Sequence, residues 1–251
     1  MVRFYLRIQN NMLVKNLLYI VVIIVTALNV AVRLFPQKFI YSLRRYGGLN
    51  NVAIVPKDIY TYCDVYLLML FIILIYFFLG TDFNNSMEEI ALVVGGSRTN
   101  KFMLRKLGAI LVLYIILYSI TFANIYSLYN KFMPGGSRLL PFKEIAFYSI
   151  TTNIFIISLS LLVLFITRNI AVSTSLITAY YLIEEALWRC KITQEKGILG
   201  HIYQYFDCPK SDIIKIKLFY IVLSIVFLFF TYIISKRKVH FKLSVKNSSR
   251  S

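Results

Sequence analysis

The segment TDFNNSMEEIALVVGGSRTNKFMLRK, residues 81–106, is a charged stretch between two strongly apolar runs. Ser86 and Glu89 have the spacing of a capping box, in which a hydroxyl and a carboxylate satisfy free amide groups at the start of a helix. A short apolar run and a Gly-Gly pair follow, and glycine is the usual residue just past a helix end. The sequence therefore predicts a short helix, capped at both ends, over residues 86–94.

The apolar runs on either side of this segment belong to a set that covers most of the chain. A helix needs roughly 20 mostly apolar residues to cross a bilayer, whereas a barrel strand needs about 10 with alternating polarity. The second run is long enough only if it includes residues before Asp64. We predict six membrane-spanning helices, at about residues 17–35, 60–80, 108–129, 145–167, 170–188 and 218–235.

The composition agrees with a membrane protein and argues against a nucleic-acid-binding one. The chain of 251 residues is 59% hydrophobic and 16% charged, with 28 basic and 11 acidic side chains. Such an excess of Lys and Arg in a soluble domain would indicate nucleic acid. In so apolar a chain it indicates contact with anionic lipid headgroups. We expect an all-α polytopic membrane protein with one transmembrane domain over residues 1–251.

The distribution of basic residues predicts the orientation of the chain. With six crossings both termini lie on one side, together with 14 of the Lys and Arg residues, and the opposite loops hold 13. The charges of the 81–106 segment and of the C-terminal tail lie close to span ends, where they count most for orientation. We therefore expect cytoplasmic termini.

A resemblance to a known family comes from this layout. The basic N-terminus, six apolar runs, a short turn between the fourth and fifth, a long outer segment before the sixth, and the segment ending GGSRTNKFMLRK resemble the permease subunits of ABC-2 type transporters. The chain has no G-x-x-x-x-G-K-[ST] motif, so it lacks a P-loop ATPase site of its own. The resemblance implies a transport subunit of an exporter, not an enzyme.

The resemblance also implies partner proteins, a substrate and a location. ATP and magnesium would be bound by separate cytoplasmic ABC ATPase subunits, and a second permease chain, identical or related, would complete the transporter. The substrate would be a hydrophobic or cationic peptide, exported as an antimicrobial-resistance or immunity function. The location would be a bacterial plasma membrane.

The same resemblance places a coupling helix, seated on the ATPase, in the loop between spans two and three. The alternative is a loop helix that rests on lipid headgroups. The residues that would contact the ATPase are Ser86, Met87, Glu88, Glu89, Ile90 and Arg98.

A second group of polar residues lies within or beside apolar runs. Ionisable side chains inside a membrane are costly and mark functional sites by default. A translocation path is one interpretation, and close helix packing by small hydroxyl residues, with the glutamates at the interface, is the other. The candidate path residues are Thr174, Thr178, Tyr181, Glu184, Glu185 and Asn153.

Two rival functions use other features of the chain. Glu184 to Arg189 matches the E-E-x-x-x-R pattern of CPBP-type intramembrane proteases, but the histidines which that family requires are absent from the following spans. The second rival is a membrane sensor or scaffold that transports nothing. Cys190 and Cys208 form a candidate disulfide closing a loop of about 19 residues, worth about 3 kcal/mol, with two free thiols as the alternative. No spacing of residues predicts a metal site.

Overall fold

The computed structural model describes residues 12–40, 53–54, 57–84, 96–132, 138–189 and 210–248. Within these ranges the chain is almost entirely helical, apart from a parallel pairing of two-residue strands, β1 (Ala53–Ile54) with β2 (Arg138–Leu139). A π-helix, Tyr60–Leu67, joins two of the helices without a break. The α-helices are α1 Met12–Leu34, α2 Pro36–Phe39, α3 Lys57–Ile59, α4 Leu68–Asn84, α5 Gly96–Phe132, α6 Phe142–Thr167, α7 Ile170–Arg189 and α8 Lys210–Ser248.

Five helices in the described part of the chain are long and apolar enough to cross a membrane. The all-α membrane fold is thereby confirmed. The apolar part of α7, Ile170–Glu184, is shorter than the other five. A sixth crossing and cytoplasmic termini therefore stay predictions. The five long segments are Asn16–Leu34, Tyr60–Gly80, Leu107–Phe132, Phe142–Thr167 and Ile213–Ser235.

The chain divides into two compact units. Unit 1 contains Met1–Leu74, Ala109–Asn153 and Tyr203–Ile213. Unit 2 contains Ile75–Gly108, Ile154–Ile202 and Ile214–Ser251.

In unit 1, a row of polar side chains connects α1 to α5. Asn29 Nδ2 donates to Thr121 Oγ1 at 2.8 Å, and Asn124 Nδ2 donates to the Asn29 carbonyl oxygen at 3.0 Å. One turn further along α1, Arg33 Nη1 donates to Ser127 Oγ at 2.9 Å. Hydrogen bonds between membrane helices are worth on average about 0.6 kcal/mol each. The row therefore fixes the register of the two helices more than it adds stability.

The π-helix also belongs to unit 1. Its last hydrogen bond runs from the N–H of Leu68 to the carbonyl oxygen of Cys63, five residues earlier. Such wider turns are rare and are frequently found at functional sites. The π-helix extends the second apolar run back to Tyr60 and so brings Asp64 inside a predicted membrane span.

In unit 2, α6 and α7 are joined by a tight turn, as the sequence predicted. Arg168 adopts a left-handed conformation, with φ of 52°, and its N–H donates to the Leu164 carbonyl oxygen at 2.8 Å. Asn169 then caps α7, because its Oδ1 accepts from the N–H groups of Ala171 at 2.9 Å and Val172 at 3.3 Å. The side-chain amide satisfies two of the free N–H groups at the helix start.

Candidate functional site

A fully buried carboxylate lies among polar groups in unit 1. Asp64, in the π-helix, has a side chain that is 0% exposed. Ser149 Oγ donates to Asp64 Oδ1, and Asn153 Nδ2 donates to the same oxygen at 2.8 Å. Tyr118 of α5 donates in turn to Ser149 Oγ at 2.6 Å. We call these four residues, Asp64, Tyr118, Ser149 and Asn153, the Asp64 cluster.

The local sequence of α6 explains why two of these groups converge on one oxygen. Ser149 and Asn153 are four residues apart, so they lie one above the other on the same helix face. Asn153 Nδ2 also donates to the Ser149 carbonyl oxygen at 2.9 Å, which holds the amide against the helix. Tyr118 is held from the other side by a ring contact with Phe122 at 5.8 Å between centroids. Both of these donors to the carboxylate come from α6, and Tyr118 of α5 is connected to it through Ser149.

One acceptor in the Asp64 cluster has no donor. Asn153 is 3% exposed, and its Oδ1 has no hydrogen-bond partner among the described residues. A buried polar atom in this condition is uncommon and calls for an explanation. The N–H groups of the same amide do donate hydrogen bonds, so only its oxygen lacks a partner among the described residues.

A second buried carboxylate lies in unit 2. Glu184 of α7 is 0% exposed, and Tyr180 donates its hydroxyl to Glu184 Oε1 at 2.7 Å. Tyr220 of α8 interacts electrostatically with Glu184. Lys217, also 0% exposed, lies three residues before Tyr220 on the same face of α8. We call Tyr180, Glu184 and Tyr220 the Glu184 cluster.

Aromatic packing holds the Glu184 cluster in place. The Phe155 ring of α6 lies 4.7 Å from the Tyr220 ring and 6.4 Å from the Tyr180 ring, measured between centroids. Tyr180 and Glu184 are four residues apart on α7, so a helical turn alone brings the hydroxyl and the carboxylate together. The cluster therefore combines a buried carboxylate with two phenols.

The predicted path residues of α7 take different positions. Thr174 is half-buried and donates to the Ile170 carbonyl oxygen at 2.8 Å, while Thr178 is exposed. Tyr181 and Glu184 are buried, and only the backbone of Glu185 is described. The protein-facing side of α7 is formed by Ser173, Ile177, Tyr181 and Glu184.

Asn153, the one predicted path residue outside α7, is buried beside Asp64 and belongs to unit 1. The α7 residues belong to unit 2. Asp64, Tyr118 and Ser149 were not among the predicted site residues. The only sequence signal for Asp64 was the shortness of the second apolar run without it.

The predicted coupling residues lie mostly outside the described ranges. Ser86, Met87, Glu88, Glu89 and Ile90 fall in residues 85–95, and Arg98 is described only as backbone in the first turn of α5. Cys190 and Cys208 also fall outside the described ranges, whereas Cys63 is a buried free thiol. Among the described residues, no three His, Cys, Asp or Glu side chains are arranged to hold a metal ion.

Comparison of the chain with protein-family models, with characterised proteins and with solved structures gives no match. Function is therefore inferred from the layout of the helices and from the chemistry of the two clusters.

Proposed function

We propose that this chain is the permease subunit of an ATP-driven exporter in a bacterial plasma membrane. It acts with separate ATPase subunits and with a second permease chain. The observation that carries the proposal is the presence of two fully buried carboxylates, Asp64 and Glu184, in a chain made of apolar membrane helices.

Burial of these carboxylates is costly, so their presence calls for a role. A charged side chain at the centre of a bilayer costs roughly 2.5–3.5 kcal/mol by insertion measurements, and such residues usually face a bundle interior and mark transport pathways. Both carboxylates are enclosed by protein groups and do not face lipid.

The substrate class is inferred from the Glu184 cluster. Carboxylates and phenolic hydroxyls accept hydrogen bonds from ammonium and guanidinium groups, whereas the surrounding Phe and Tyr rings suit apolar side chains. A peptide that is both cationic and hydrophobic matches both features. Export and self-protection against such a peptide is the activity that we propose.

The energy source is inferred from the polar segment between α4 and α5. These helices end at Asn84 and begin at Gly96, so 11 residues connect them. A loop of this length accommodates the two-turn helix predicted over residues 86–94, and that helix would transmit ATPase closure to the two adjoining helices. Because the chain has no P-loop motif, the nucleotide would be bound by the partner.

The first prediction tests this coupling. The chain is co-expressed with candidate P-loop ATPases, and the complex is purified and assayed for ATP hydrolysis. In the double variant Glu88→Arg/Glu89→Arg, two reversed charges would oppose the ATPase surface, and we expect ATP turnover in the complex to fall at least about tenfold, through loss of about 1.4 kcal/mol or more of coupling.

The matched control is Lys242→Glu/Lys246→Glu, which reverses two charges in the C-terminal tail and should leave turnover unchanged. Undiminished association and turnover in Glu88→Arg/Glu89→Arg would contradict the coupling role. Peptide hydrolysis that needs no partner and is lost in Glu184→Ala would instead favour the intramembrane protease.

A further inference from the structure

We propose that the Asp64 cluster is a proton-binding site, in which Asp64 takes up one proton and the hydroxyls of Ser149 and Tyr118 form the hydrogen-bonded path to it. This inference does not depend on the proposed export function. It rests on the contacts within unit 1.

The burial of Asp64 limits what can bind there. The side chain is 0% exposed, and its Oδ1 is already occupied by donors from Ser149 and Asn153. A metal ion needs lone pairs pointing at it from several oxygens. Here hydrogen atoms point at the carboxylate oxygen, so the surroundings suit an anion or its protonated form and not a metal cation.

The count of donors and acceptors points to a missing proton. The N–H groups of Asn153 contact Asp64 Oδ1, the Ser149 carbonyl oxygen and, at 3.4 Å, Ser149 Oγ. Asn153 Oδ1, in the same amide, is buried and has no donor among the described residues. A carboxylate has no hydrogen to give, but a carboxylic acid has one. A proton on Asp64 therefore adds the type of group that the cluster lacks.

The hydroxyls supply a path with a consistent direction. Tyr118 donates to Ser149, and Ser149 donates to Asp64. When the Ser149 proton passes to the carboxylate, Ser149 takes the proton of Tyr118, and Tyr118 recovers one from water. The net change is the transfer of one proton from water to Asp64, with no oxidation and no bond altered except O–H bonds.

Among the groups shown to contact Asp64, its carboxylate is the one that takes up a proton. Two titratable groups that interact electrostatically with Asp64 are the thiol of Cys63, on the same helix, and the phenol of Tyr118, from α5. From α6 the carboxylate meets Ser149 and Asn153, which do not titrate near neutral pH. An ionised carboxylate is far more costly to bury than its neutral acid, so uptake of a proton lowers that cost.

Protonation would change the connection between three helices. The ionised carboxylate accepts from α6 twice, whereas the acid must also donate, and Asn153 Oδ1 is the available acceptor. The π-helix, α5 and α6 would therefore repack slightly between the two states. The location of Asp64 in a π-helix agrees with a segment that has a functional role.

The test is infrared difference spectroscopy on the full-length protein in lipid nanodiscs, titrated between about pH 4 and pH 9. We expect a carbonyl-stretch band of a protonated carboxyl that appears as the pH falls. The band should be absent in Asp64→Asn, which keeps the shape of the side chain, and shifted in Ser149→Ala, which removes one donor. Tyr118→Phe should slow the uptake of the proton at least about tenfold after a pH jump, because the path is cut.

The control is Asp58→Asn, the same substitution at a second buried carboxylate of unit 1, which accepts from the Tyr129 hydroxyl. It should leave the Asp64 band in place. If Asp64→Asn does not fold, the shift in Ser149→Ala decides the assignment. The proposal is overturned if no pH-dependent carboxyl band responds to either substitution. It is also overturned if the band changes with sodium at fixed pH, because that result would indicate a metal cation.

Discussion

At the scale of single residues, several polar side chains were equally plausible site residues in the sequence. The structure shows which of them are buried and which groups they contact. Glu184 and Asn153 could be predicted because a charge or an amide within an apolar run must be enclosed by protein. The partners of Asn153 on other helices could not, because Asp64 and Tyr118 meet Ser149 only through tertiary contacts between three helices. Such contacts leave no local pattern.

The protein-facing side of α7 shows the same limit. Ser173 and Thr174 are adjacent hydroxyl residues, and either can start a polar stripe along the helix. One residue corresponds to a rotation of about 100°, so the two choices select different faces. Packing against α6 and α8 decides in favour of Ser173, Ile177 and Glu184, and the apolar pattern of α7 alone does not contain that information.

The Glu184 carboxylate gives the second prediction. Glu184→Gln keeps the acceptor for Tyr180 and the volume of the side chain, so we expect a change in unfolding free energy below about 1 kcal/mol. Glu184→Ala leaves the half-buried phenol of Tyr180 without its partner and should cost about 1–3 kcal/mol. Both should lose transport of a cationic peptide, because both lose the charge. Chemical unfolding in detergent and uptake into inverted vesicles measure the two effects.

The comparison for this prediction is Ser175→Ala, an exposed position on the same helix. It should alter neither stability nor uptake. Full transport by Glu184→Gln would show that the charge has no part in the path.

At the scale of helices and turns, most of the architecture could be predicted from the sequence. The turn between α6 and α7 followed from the polar residues between two long apolar runs. The π-helix could not be predicted, because its wider turns depend on packing around Cys63 and Asp64 and have no sequence signature. The start of α5 also differs from the start of the predicted span. α5 begins at Gly96, well before the apolar run at 108, since charged residues continue a helix outside the membrane as readily as apolar ones.

A close approach in unit 2 gives the third prediction. A Cβ atom added at Gly80 would lie 2.4 Å from Ile170 Cγ1, which is far inside contact distance. Gly80→Ala should therefore destabilise the protein by about 1–3 kcal/mol through overpacking. Adding Ile170→Ala should recover part of that loss, because it removes the clashing atoms. Thermal unfolding in detergent compares the two variants.

Gly108→Ala is the matched control, since nothing lies within 4 Å of the Cβ that it would add. It should be neutral or slightly stabilising, as alanine favours helix more than glycine does. Equal destabilisation at both glycines would mean that the contact with Ile170 is not the cause.

At the scale of the whole molecule, the number of crossings decides the topology. Five long apolar helices are present in the described residues, and α7 has a shorter apolar part that ends at Glu184. Its length could be estimated from the sequence, but whether so short a helix crosses depends on the local bilayer thickness and on neighbouring helices. An even number of crossings places both termini on one side, and an odd number separates them.

The fourth prediction is that α7 crosses and that both termini are cytoplasmic. Single cysteines at Gln9→Cys and Ser251→Cys, in a chain without its native cysteines, should react with an impermeant maleimide only after the membrane is opened. A chain that keeps Cys208 alone should react in intact cells. Reaction of one terminus and not the other in intact cells would mean five crossings.

The central claim is that nucleotide binding by a partner rearranges this chain, as a permease requires and a scaffold does not. Spin labels at Tyr19→Cys of α1 and Leu182→Cys of α7, both exposed positions, report on such a change in the complex with its ATPase. Electron–electron resonance measures their separation without nucleotide and after trapping with ATP and vanadate. We predict that trapping changes the distance distribution by about 5 Å, the scale of helix movements in switching proteins. Identical distributions in the two states, in a complex that hydrolyses ATP, would contradict the claim.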